Sequence, residues 1–126
     1  MSATKERIFS YIRRHCLPTG WWHIMEAHAE KAWALDPNAS FYIVDDYGGI
    51  RIDTITTHEA DQVMRFADED LLWQSKATCS CCGKQFREIV HDYAYRRELC
   101  MDCRYLDARG QEKVQFEAAR KWFMEE

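Results

Sequence analysis

Apolar residues recur at helical spacing through the first third of the chain. Ile8, Ile12 and Cys16 lie four apart and share one face, which predicts a helix over residues 4–16 with Cys16 as a small buried apolar residue. Pro18-Thr19-Gly20 then breaks the pattern. A second helix is predicted over residues 21–35, with Trp22, Met25, Ala29, Ala32 and Trp33 as its apolar stripe and Asp36-Pro37-Asn38 as its stop. The period then changes from helical to alternating. Residues 41–44 and 50–55 are β-branched and aromatic, and the Gly48-Gly49 pair between them suits a hairpin. In the second of these strands Ile50, Ile52 and Thr54 face one way, and Arg51, Asp53 and Ile55 the other.

Helical periodicity returns after the hairpin. Thr56-Thr57-His58-Glu59 matches a capping box with Thr56 as N-cap, opening a helix that runs to about residue 73. Ala60, Val63, Met64, Ala67 and Leu71 form its apolar stripe, while Asp61, Asp68, Glu69 and Asp70 read as its solvated side. Beyond a cysteine-rich segment, a last helix is predicted from residue 111 towards the end of the chain. Val114, Ala118 and Trp122 line one side of it, with Phe116, Ala119 and Phe123 beside them. There is no internal repeat. The reading is α+β: helices on a small antiparallel sheet. A helical region with a hairpin spans residues 1–75, and a metal-binding module with the final helix spans residues 76–126, the two forming one compact unit.

Charge narrows the function classes. Residues 1–75 carry seven Lys and Arg against twelve Asp and Glu, and residues 76–126 carry ten against nine, within a formal net charge of −4. A protein that grips phosphates presents a basic footprint, and only the second region could supply one. The N-terminal stretch is polar with no apolar run after it, and no segment approaches a membrane span. A cytoplasmic protein is expected, where thiols stay reduced, so six cysteines point to metal rather than disulfides.

The cysteines are spaced accordingly. Cys79 and Cys82 form one Cys-x-x-Cys pair, Cys100 and Cys103 another, and seventeen residues lie between the pairs, within the range of zinc sites. Two intervening residues let one tight turn aim both sulfurs at a common point, and Gly83 allows the left-handed backbone such a knuckle needs. Cys81 complicates the register: it could replace either neighbour or stand as an extra thiol. The second pair is expected on the first turn of a helix continuing through residues 104–109 and stopped by Gly110, where backbone N–H groups favour thiolates. Segments 87–90 and 95–99 could pair as a hairpin around His91-Asp92-Tyr93. Knuckle, hairpin and helix together resemble a treble-clef zinc finger, with a zinc ribbon as the alternative. The expected cofactor is a structural Zn²⁺, its thiolate charge offset by nearby Lys and Arg.

Other residues are weaker candidates. His23 and His28 project about 140° apart on a helix and are read as solvated or packing residues. Trp22 belongs in the core, while Trp21 is either a staple at the helix start or an exposed anchor for a partner. Arg51, beside the paired glycines, could pair with Asp45 or Asp46 or face a ligand. Gly20-Trp21, the run from Tyr47 to Ile52 and the two cysteine pairs together resemble a loose group of small phage, prophage and bacterial proteins, across residues 20–103. Those proteins combine a Gly-Trp helix, a Gly-Gly-Leu-Arg-like strand and a C-terminal zinc knuckle. Ile50 departs from that pattern, as does Cys103 where many members have His. The resemblance implies a mobile-element context and no mechanism. Three functions are consistent with these residues: a non-catalytic module that binds a host or bacterial defence protein; a nucleic-acid binder using Arg87, Arg96, Arg97, Arg104 and Arg109; and a metal-dependent nuclease built on His91. A protein partner is expected, with no membrane association.

Overall fold

The computed structural model describes residues 3–46, 49–85, 90–92 and 97–125. The fold is α+β. Helix α1 (Ala3–His15) is followed by a short 3-10 turn (Thr19–Trp21), α2 (Trp22–Leu35), strands β1 (Ser40–Asp46) and β2 (Gly49–Ile55), and α3 (His58–Lys76). Strands β3 (Val90–Asp92) and β4 (Arg97–Leu99), a single helical turn α4 (Met101–Arg104) and α5 (Ala108–Met124) complete it. Each strand pair is an antiparallel two-stranded sheet.

Ile50, Ile52 and Thr54 are buried while Arg51, Asp53 and Ile55 are exposed, the alternation a half-buried strand requires. The buried side joins Ile8 and Ile12 of α1, Met25, Ala29 and Ala32 of α2, Phe41 and Ile43 of β1 and Met64 and Leu71 of α3 in one core. Trp122 of α5 belongs to this core too. Its ring lies 5.4 Å from that of Trp22, in an edge-on arrangement that suits the ring quadrupoles. Lys5 of α1 is buried, stacks over the Trp122 ring at 4.7 Å and donates to the carbonyls of Trp122 and Glu125. A cation at the C-terminal end of α5 satisfies carbonyls that the helix leaves unpaired.

A buried polar knot ties the hairpin to α2 and α3. Thr54 donates to Asp68 through both its N–H (3.0 Å) and its Oγ1 (2.6 Å), and His28 Nε2 lies 2.9 Å from Asp68 Oδ1. Asp68 is therefore turned inward rather than standing on a solvated face. The start of α3 also differs from the capping-box expectation: the helix begins at His58 behind Thr57, with no side-chain cap bond. Asp36 does related work there, accepting from Thr57 N–H at 3.0 Å as well as from Asn38 N–H. Cys16 is exposed rather than buried, because α1 ends at His15 and Cys16 turns away with φ +52°. Gly110 does not stop a helix. It lies in the first turn of α5, where its N–H donates to the N-cap side chain of Asp107 at 2.7 Å.

Candidate metal centre

Two local structures bring the cysteine pairs together. At the first, Gly83 N–H donates to Cys79 C=O and Cys79 N–H to Lys84 C=O, each at 2.9 Å, with Thr78 and Gln85 forming an antiparallel bridge. The chain reverses over residues 79–84 because Gly83 takes φ +83°, a conformation most side chains avoid. At the second, Cys100 precedes α4 and Cys103 lies within it, and Arg104 N–H donates to Cys100 C=O at 3.0 Å. Strand β4 delivers the chain to this turn.

The Sγ atoms of Cys79, Cys82, Cys100 and Cys103 all lie within 4.8 Å of one another. The pair Cys82–Cys100 is 3.7 Å apart. A tetrahedral zinc with Zn–S of about 2.3 Å requires sulfurs about 3.8 Å apart, so the donor set fits such an ion. Cys79, Cys100 and Cys103 are buried and Cys82 is half-buried. Cys81 does not belong to the convergent set. Its thiol is buried and faces Gln111 C=O at 3.7 Å.

The thiols perturb one another strongly. A hydrogen bond with Cys82 holds Cys79 well below the ordinary thiol range, against a burial effect that raises it. The same hydrogen bond pushes Cys82 up, and burial adds to it. Burial first, then the charge of Cys79, pushes Cys103 up. Four sulfurs this close cannot all ionise by themselves, because each thiolate raises the cost of the next. A divalent cation removes that obstacle and takes up the charge the protons would otherwise neutralise.

The knuckle is docked on the N-terminal core through the 3-10 turn. Gly20 N–H donates to Ser80 C=O at 2.9 Å, Thr19 Oγ1 to Cys81 C=O at 3.0 Å and the Trp21 indole N–H to Thr78 C=O at 3.1 Å. Trp21 is consequently 3 % exposed: it packs into the core at the start of α2 and is not presented to a partner. A Cβ on Gly20 would meet Cys79 O at 2.1 Å, so only glycine allows this approach. On the other side, Gln111 of α5 donates from its side chain to Cys103 C=O at 3.0 Å.

The described residues place the remaining candidates on separate elements. Arg104 and Arg109 are exposed on α4 and α5, Arg97 falls in β4, and Arg87 and Arg96 lie outside the described residues. His91 and Asp92 stand in β3 opposite Glu98 and Arg97 rather than at a hairpin tip. Arg51 is exposed across the ladder from Val44. Lys84 contacts Asp102 at 3.7 Å beside the site. No helix among the described residues is long and apolar enough to cross a membrane. The chain matches no protein-family model, no curated protein and no solved structure.

Proposed function

We propose that the protein is a non-catalytic binding module whose fold is completed by a structural zinc ion on Cys79, Cys82, Cys100 and Cys103. The observation that carries this reading is the closed set of four sulfurs, wired by backbone hydrogen bonds into the core. Four thiolate ligands leave a tetrahedral ion no open position for water or substrate, which favours a structural over a catalytic role. The acidic, aromatic-rich N-terminal region then supplies the binding surface, and a protein is the partner its charge favours over nucleic acid. The resemblance to small phage and bacterial proteins makes a host or defence protein the natural target. The test is cross-linking of the zinc-loaded protein in a bacterial lysate, followed by reconstitution with the purified candidate. Binding that survives moderate salt and is lost on zinc removal supports the reading. Salt-sensitive retention of DNA or RNA, with no protein reconstituted, overturns the choice of partner.

A further inference from the structure

The two edges of the β1/β2 hairpin are finished differently. Ile50 N–H donates to Ser75 Oγ at 2.8 Å and Thr54 N–H to Asp68 Oδ2 at 3.0 Å, both on α3. These donors therefore point away from β1, and Ile50, Ile52 and Thr54 occupy the non-hydrogen-bonded positions of the ladder. Side chains of α3 seal the β2 edge. The register sets Asp45, Ile43 and Phe41 opposite those three residues, so their backbone N–H and C=O groups point outward on the far side of β1. Phe41 and Ile43 have no backbone partner there among the described residues.

That edge carries few of the features that discourage strand addition. Ser40–Asp46 has no Lys or Pro, its charges are confined to one end, and it pairs with β2 through seven consecutive positions without a bulge. On its solvent face Tyr42 and Val44 are 61 % and 42 % exposed.

We propose that β1 is a dimer interface, pairing antiparallel with β1 of a second copy of this chain about a twofold axis at Ile43. With Phe41, Ile43 and Asp45 pointing outward, a twofold axis can fall at any position from Phe41 to Asp45. An axis at Tyr42 would set Val44 against Ser40 of the second copy, and one at Val44 would set Tyr42 against Asp46. An axis at Asp45 would set that aspartate against itself, and an axis at Phe41 would carry Val44 past the end of the partner strand. An axis at Ile43 pairs Ile43 with its own counterpart, and Phe41 and Ser40 with Asp45 and Asp46 of the second copy, so no like charges meet. It also sets Tyr42 against Val44 of the second copy at a non-hydrogen-bonded position, where side chains approach most closely. Aromatic and β-branched residues are favourable partners at such positions. The result is a four-stranded sheet, a commoner size than an isolated hairpin.

Sedimentation velocity of the full chain with its metal, over a concentration series, tests this. Wild type is expected to shift from monomer to dimer as concentration rises. The double variant Tyr42→Lys/Val44→Lys sets Lys against Lys twice across the axis and is expected to weaken the dimer roughly tenfold or more. Both positions are exposed, and an unchanged circular dichroism spectrum verifies that the variant folds. An equimolar mixture of Tyr42→Lys with Val44→Glu is expected to recover dimer, because each Lys then faces a Glu. A wild type that stays monomeric at every concentration overturns the proposal, as does a double variant that dimerises like wild type. A mixture no better than its separate components overturns the Ile43 register.

Discussion

Replacing Gly20 with alanine isolates the joint between metal module and core. The added Cβ would lie 2.1 Å from Cys79 O and 2.6 Å from Ser80 C, both backbone atoms of the knuckle. No rotamer change relieves such a contact, so the 3-10 turn and the knuckle must separate by about 1 Å, with carbon and oxygen needing more than 3 Å. That movement stretches all three hydrogen bonds of the joint, from Gly20 N–H, Thr19 Oγ1 and the Trp21 indole. At about 1 kcal/mol each, plus the desolvation of buried carbonyls left unpaired, the expected loss is about 3–5 kcal/mol. This is a large share of the roughly 5–15 kcal/mol that stabilises a domain. Gly20 does not occupy the left-handed region, so the effect is steric and not conformational. Urea denaturation followed by tryptophan fluorescence measures it, with Gly49→Ala as control, since the nearest atoms to a Cβ there belong to the flexible side chains of Leu72 and Lys76, at 3.0 Å. Linkage adds that Gly20→Ala should also weaken metal binding. A Gly20→Ala protein within about 0.5 kcal/mol of wild type would refute the joint.

Four further outcomes are expected. Cys81→Ala should keep its metal in a chelator competition assay, whereas Ser at Cys79, Cys82, Cys100 or Cys103 should lose it, because only those four sulfurs converge. Gly83→Ala should cost about 1 kcal/mol or more through its positive φ, read as a lowered denaturation midpoint. Asp68→Ala should cost about 2–4 kcal/mol in the same assay, and more than His28→Ala, because it strands the buried Thr54 N–H as well as the imidazole. Metal affinity should fall with pH. Hydrogen bonding to Cys79 and burial hold the Cys82 proton on, and burial holds that of Cys103. The metal-free form thus binds more protons and gains as pH drops, with affinity falling about tenfold per pH unit for each proton expelled. Release of a colorimetric zinc signal on titration from about pH 8 to pH 5 measures this.

Much of the fold is legible in the sequence because its signals are local. The periods of α1, α2 and α3, the alternation in β2 and the spacing of the two cysteine pairs each depend on neighbours within a few residues. Long-range geometry is where reading along the chain falls short. Trp21 reads either as a staple at the helix start or as an exposed anchor, because nothing nearby says that Thr78, far along the chain, supplies the acceptor for its indole. Asp68 sits in an acidic run and reads as solvated, yet it stands one helical turn after buried Met64, on the side of α3 that faces Thr54 and His28. Cys16 follows the spacing of Ile8 and Ile12 but falls one residue beyond the helix. Gly110 reads as a stop, and only the Asp107 side chain bonded to its N–H identifies it as part of a start. Gly20 reads as part of a Pro18-Thr19-Gly20 chain break, but the reason only glycine fits there is a contact with Cys79 and Ser80.

Metal content and its consequence for folding test the central claim most directly. Elemental analysis of protein purified without added metal is expected to find one zinc per chain. Stripping it should lower the melting temperature and expose Trp21 to solvent, with both reversed when zinc is restored. A purified protein without bound metal, or one whose melting and tryptophan emission are unchanged after stripping, contradicts the account.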